Sequence, residues 1–104
     1  MKCVFIHVDG IMEDVDIDID ANEHGILLGG PVNIVGQMED GRVPVVVISS
    51  KSATPEESGV NAHELPHPLR NEVVSGPMIV LKMFAGTEHD LTVAQYTEFL
   101  AGRR

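Results

Sequence analysis

Apolar and polar residues alternate through residues 12–20 with the two-residue period of a half-buried strand. Residues 3–8, rich in β-formers, run into Asp9-Gly10, a turn dipeptide, just ahead of that stretch, so a β-hairpin is expected. Residues 21–28 follow Asp20, a good N-cap, and stop at Gly29-Gly30-Pro31, which predicts a short helix despite the low helical propensity of Gly25. Two more strands are expected at 32–38 and 43–50, joined by a turn at Glu39-Asp40-Gly41-Arg42. Val45-Val46-Val47-Ile48 is apolar on both faces and marks a central strand. Residues 51–70 hold Pro55, Pro66 and Pro68 among small and polar residues, a density of breakers that leaves a long loop. Residues 71–75 and 78–84, on either side of Gly76-Pro77, add one or two strands. Thr92 and Gln95 then form a capping-box pattern opening a helix that ends at Gly102. Val93, Tyr96, Phe99 and Leu100 fall on one face of it, the face expected to pack on the strand at 78–84.

These elements predict an α+β fold: a mostly antiparallel sheet of five or six strands, with the C-terminal helix and one short helix packed on it. The 104 residues fit one domain, 1–104, with a long Pro-containing loop at about 51–70. Aromatics are limited to Phe5, Phe84, Phe99 and Tyr96, so the core must be built from Val, Ile, Leu and Met. No internal repeat or low-complexity tract interrupts the pattern.

Charge narrows the function classes. Sixteen Asp and Glu against seven Lys and Arg give a net charge of −9, which repels phosphate backbones and anionic membranes. Neither direct nucleic-acid binding nor membrane binding is expected. The single cysteine, Cys3, cannot form an intrachain disulfide, so a reducing compartment is the simpler setting, and its apolar neighbours make it a small buried hydrophobe. The first residues lack a signal-peptide core and no apolar run approaches a membrane span; a cytoplasmic, intracellular protein is expected.

His63-Glu64-Leu65-Pro66-His67 spells the H-E-x-x-H of zinc peptidases, in which one helix brings two histidines onto one face with Glu as general base. Pro66 inside the required turn costs ~3 kcal/mol or more, and Pro68 pushes His67 away from helical backbone. A metal-dependent hydrolase using His63, Glu64 and His67 is therefore the alternative reading, and a proline-fixed loop with exposed histidines and no metal the expected one. Asp14, Asp16, Asp18 and Asp20 alternate with Val15, Ile17 and Ile19, so one continuous strand would turn all four carboxylates to one face. Such a ladder is either a solvated strand face or an acidic patch for a basic partner. Its spacing does not match an EF-hand loop.

Other motifs carry less. The glycines at 25, 29, 30 and 36 fit neither G-x-G-x-x-G nor a P-loop, and no cofactor signature occurs. Ser49-Ser50-Lys51-Ser52 follows a strand, where hydroxyls that could contact an anion are also ordinary strand-end residues. Cys3 and His7 sit ~13 Å apart along a strand, too far to act as nucleophile and base.

Taken in order, Asp9-Gly10, Leu28-Gly29-Gly30, residues 32–37, residues 61–68 with Leu65-Pro66, Gly76-Pro77 and Asp90-Leu91-Thr92 resemble a small uncharacterised domain of large DNA viruses of algae. The pattern is similar also to a phage and plasmid domain of unknown function. The resemblance covers nearly the whole chain and implies a viral or mobile-element origin and a compact α+β fold, with no assigned activity, catalytic residue or ligand. The acidic ladder and the histidine string are not part of it. With no catalytic constellation visible, the leading expectation is a non-enzymatic accessory protein that binds a basic host or viral protein through Asp14, Asp16, Asp18 and Asp20. Mimicry of nucleic acid by that carboxylate row is a variant of the same idea.

Overall fold

The computed structural model describes residues 1–41 and 43–102; Arg42, the last residue of the expected second turn, lies outside them. An apolar run produces β1 (Lys2–Ile6) and an alternating one β2 (Met12–Asp16), joined through a tight turn in which Gly10 takes φ 90° and the Asp9 side chain accepts the Ile11 N–H at 3.0 Å. A short helix α1 (Glu23–Leu28) follows, then β3 (Val32–Met38) and β4 (Val45–Ser50), one helical turn α2 (Pro55–Ser58), β5 (Met78–Phe84), β6 (Thr87–His89) and α3 (Val93–Ala101). All neighbouring strands are antiparallel in one six-stranded sheet, ordered β2-β1-β5-β4-β3 with β6 paired to β5. The expected fold class is therefore the observed one.

The pleat sorts side chains onto two covered faces. On one, Val4, Ile6, Val45, Val47, Met78 and Val80 pack against Tyr96 of α3, against Leu65 and Leu69 of the long loop and against Val74 beyond it. On the other, Cys3, Phe5, Ile48, Ile79 and Leu81 pack against Ile17 and against Leu28 of α1. Coverage on both sides explains why β4 and β5 are continuous apolar runs while β2, at an edge, is largely polar. The capping box of α3 is complete: Thr92 Oγ1 accepts the Gln95 N–H at 3.2 Å and Gln95 Oε1 accepts the Thr92 N–H at 2.9 Å. Tyr96 is fully buried as expected, whereas Val93, Phe99 and Leu100 are partly buried at the margin of the same cluster.

A bulge in β3 changes the face of its side chains. Ile34 pairs with Ile48, but Gly36 pairs with Val47, so Val35 is the extra residue. Val32 thereby joins the α1 face while Met38 joins the α3 face. A methyl group on Gly36 would lie 2.5 Å from Leu69 Cδ2, so the bare backbone here is what lets Leu69 close over the sheet.

Four expectations are corrected. The alternating stretch at 12–20 stops being strand at Asp16, because Asp18 Oδ1 accepts the N–H groups of Asp20 and Ala21 at 3.0 and 3.3 Å and bends the chain into a turn. Helix α1 begins later than residue 21, and Asn22, in left-handed backbone at φ 59°, precedes it instead of Asp20. Residues 71–75 form no strand, only a single bridge between Val60 and Ser75. The loop at 51–70 is partly ordered by α2, whose first turn Thr54 caps by accepting the Glu57 N–H.

Candidate functional site

The sequence singled out an acidic ladder and a histidine string, and the fold sends them to different places. Within β2, Asp14 and Asp16 do share a face, opposite Val4 and Lys2 of β1. That face is the one α3 covers: Asp14 Oδ1 accepts the Val93 N–H at 2.7 Å, placing a carboxylate on the first turn of the helix. Asp16 Oδ1 accepts from the Met1 amino group at 3.0 Å. Asp18 is the turn acceptor described above, and Glu23 Oε1 accepts the Asp18 N–H at 2.6 Å. Three of the four ladder carboxylates thus bond the chain itself, and Asp20 is exposed in the turn beyond the strand. They still concentrate negative charge, since residues 9–23 hold Asp9, Glu13, Asp14, Asp16, Asp18, Asp20 and Glu23 with no Lys or Arg among them.

The same corner contains residues that the sequence reading did not select. Ile26 and Leu27 of α1 are 72% and 42% exposed, and with Val15, Ile17, Asp16 and Glu23 they line a groove of about 310 Å³ between α1 and β2. The signal was present: residues 26–28 are three consecutive apolar positions, and a helix of six residues turning 100° per residue cannot bury all of them against one sheet. Leu28 takes the buried position. Nearby in sequence, His24 keeps Nδ1 buried with no hydrogen-bond partner among the described residues.

The histidine string lies in extended and turn backbone, not in a helix, so His63 and His67 do not share a helical turn. Asn61 organises the segment: its buried amide Nδ2 donates to the carbonyls of Ile6, His7 and Gly76 at 3.3, 3.2 and 2.9 Å, and its Oδ1 accepts the His63 N–H at 2.9 Å. His67 is exposed as expected, but His63 is half-buried because its Nε2 meets Tyr96 Oη at 2.8 Å. Burial lowers the His63 pKa below its ordinary 6.5, outweighing the charge of Glu64, and raises that of Tyr96, so both are neutral at pH 7. Leu65 and Leu69 are core residues, and His63, Glu64, Pro66, Arg70 and Leu100 line a groove of about 650 Å³. Among the described residues no three His, Cys, Asp or Glu converge as a metal would require. Cys3 is buried and its thiol is pushed up to about 12, while His7 bonds Glu13 Oε1 at 3.1 Å. Ser50 and Ser52 bond each other at 3.3 Å beside a polar groove that also includes Ser49 and Lys51.

With that geometry set out, one comparison assigns the chain. A family model, described as a family of unknown function (DUF5880), matches residues 4–99. The chain belongs to that family. The match spans both covered faces of the sheet, from Val4 in β1 to Phe99 in α3, so the DUF5880 unit is the fold described above. No curated protein and no solved structure matches the chain. Among the described residues, no helix of this DUF5880 chain is long and apolar enough to cross a membrane.

Proposed function

We propose that this DUF5880 chain is a non-enzymatic accessory domain, of viral or mobile-element type, that binds a basic protein through the corner formed by β2 and α1. The observation that supports this reading is the pairing of exposed Ile26 and Leu27 with a concentration of carboxylates on the same corner. Exposed apolar side chains rimmed by charge of one sign suit a partner segment that offers apolar anchors and Lys or Arg around them. The carboxylates that bond the chain remain on its surface, so their structural tasks are compatible with steering such a partner. The ladder of the sequence reading is thereby narrowed: Asp14 lies at the start of α3, Asp16 borders the groove with Ile26 and Leu27, and Asp18, Asp20 and Glu23 lie near that pair in the chain.

The hydrolase alternative has less support, because the backbone through His63 and His67 lacks the helical repeat that sets both imidazoles on one metal. The test of the binding reading is capture of basic partners from extract on immobilised wild type and on an Ile26→Glu, Leu27→Glu variant, at two salt concentrations. Retention that falls with salt and is lost in the variant, with unfolding unchanged, is the expected result. Equal, salt-insensitive retention by both would refute it.

A further inference from the structure

The sheet has two long free edges of opposite character. At one end β2 presents Glu13, Asp14 and Asp16, charges that discourage a further strand from adding there. At the other end β3 reads Val32, Asn33, Ile34, Val35, Gly36, Gln37, Met38: seven residues with no charge at all, Ile34 being 68% exposed. Alternate N–H and C=O groups of an edge strand point away from its only neighbour and are free to pair. We propose that β3 pairs antiparallel with β3 of a second copy of this chain, joining the two sheets into one across a two-fold axis.

Charge selects the edge, and the charges at its two ends fit a second copy. In a chain of net charge −9, a second copy is repelled at most approaches, and the acidic β2 edge is the worst of them. Joining through β3 places the two β2 edges at opposite ends of the combined sheet. The ends of β3 are also complementary to themselves. Glu39 and Asp40 follow its last residue, whereas Lys51 stands beside its start, its N–H donating to the Pro31 carbonyl at 2.9 Å. Asp40 is held by Lys82 at 2.7 Å, which leaves Glu39 as the acid for a partner, and among the described residues Lys51 forms no ion pair. Antiparallel pairing about a two-fold axis brings the Glu39 end of each copy to the Lys51 end of the other, twice per dimer. Glu72 borders the groove on the Lys51 side, so the swap below is read against that fixed carboxylate. The Val35 bulge sits at the middle of β3, so two-fold pairing centred there sets residues 32–34 of each copy against residues 36–38 of the other.

The test is sedimentation of the intact chain over a wide concentration range. The expected result is a reversible dimer with a mass of two chains. Ile34→Lys, at an exposed position and therefore expected to keep the thermal midpoint of the monomer, should abolish it. Glu39→Lys and Lys51→Glu alone should each weaken dimerisation about tenfold, since each turns two symmetric attractions into repulsions, and the double variant should restore it. A chain that stays monomeric at all concentrations, or a dimer indifferent to Ile34→Lys, would overturn the proposal. So would charge variants whose effects simply add in the double variant.

Discussion

Tyr96→Phe removes one oxygen from the best-buried position of α3 and so measures what the tyrosine hydroxyl does. The ring lies between the sheet and the long loop with none of its surface exposed, and its hydroxyl meets His63 Nε2 at 2.8 Å. Phenylalanine fills the same space, so no cavity forms and the transfer term is nearly constant. What is lost is one neutral hydrogen bond, with the imidazole nitrogen left facing a ring edge in a half-buried site. A net hydrogen bond contributes ~0.5 to 1.5 kcal/mol and an unsatisfied buried partner adds to that loss, so about 1 to 2 kcal/mol is expected. Tyr96→Ala, which also empties the site, should cost about 3 to 5 kcal/mol. Urea unfolding followed by far-UV circular dichroism gives both numbers, provided the slope against urea stays constant. The same pair predicts a pH dependence. Burial lowers the folded pKa of His63 below 6.5, so as pH falls the unfolded chain takes up the proton first. Stability from this group is therefore complete above about pH 6.5 and declines as pH drops from there toward the folded value. His63→Gln should flatten that part of the curve. A Tyr96→Phe variant as stable as wild type, or a slope unchanged by His63→Gln, would refute the assignment of a neutral hydrogen-bonded pair.

Asp14→Ala should cost about 0.5 to 2 kcal/mol through loss of the acceptor for the Val93 N–H, and Asp14→Asn less because an acceptor oxygen remains, both read from urea midpoints. Asn61→Ala strips the donor from three carbonyls and should destabilise by roughly 2 kcal/mol or more, with hydrogen exchange accelerated first in residues 59–76. Cys3 should resist a thiol-specific chromogenic reagent at neutral pH in the native chain and react at once in denaturant, since burial holds its thiol near 12; prompt native reaction would contradict its placement.

Period and punctuation carried most of the architecture. The β-formers at 3–8, the apolar run at 45–48 and the Thr92–Gln95 box each have one physical solution, and the strands and the helix stand where those signals put them. Asp16 marks where period alone stopped being enough: residues 17–20 keep alternating, yet the Asp18 carboxylate offers its own backbone a better partner than a strand would. The β5–β6 hairpin escaped notice because its turn puts Ala85 in left-handed backbone at φ 51°, a place where Asn or Asp would have announced it. For the site, the charge was legible but its use was not. That Asp14 serves the start of α3 depends on contacts 79 residues apart, which no local pattern encodes. The exposure of Ile26 and Leu27 follows from the brevity of α1, a length set by Asn22 and the left-handed Gly29 at its two ends.

The binding reading meets its most direct test in backbone amide shift mapping of the ¹⁵N-labelled chain titrated with a captured basic partner. The account predicts perturbations centred on residues 13–28, with Ile26 and Leu27 among the largest and the His63 to Arg70 groove unmoved. Shifts concentrated at residues 61–70 instead, with α1 silent, would contradict it.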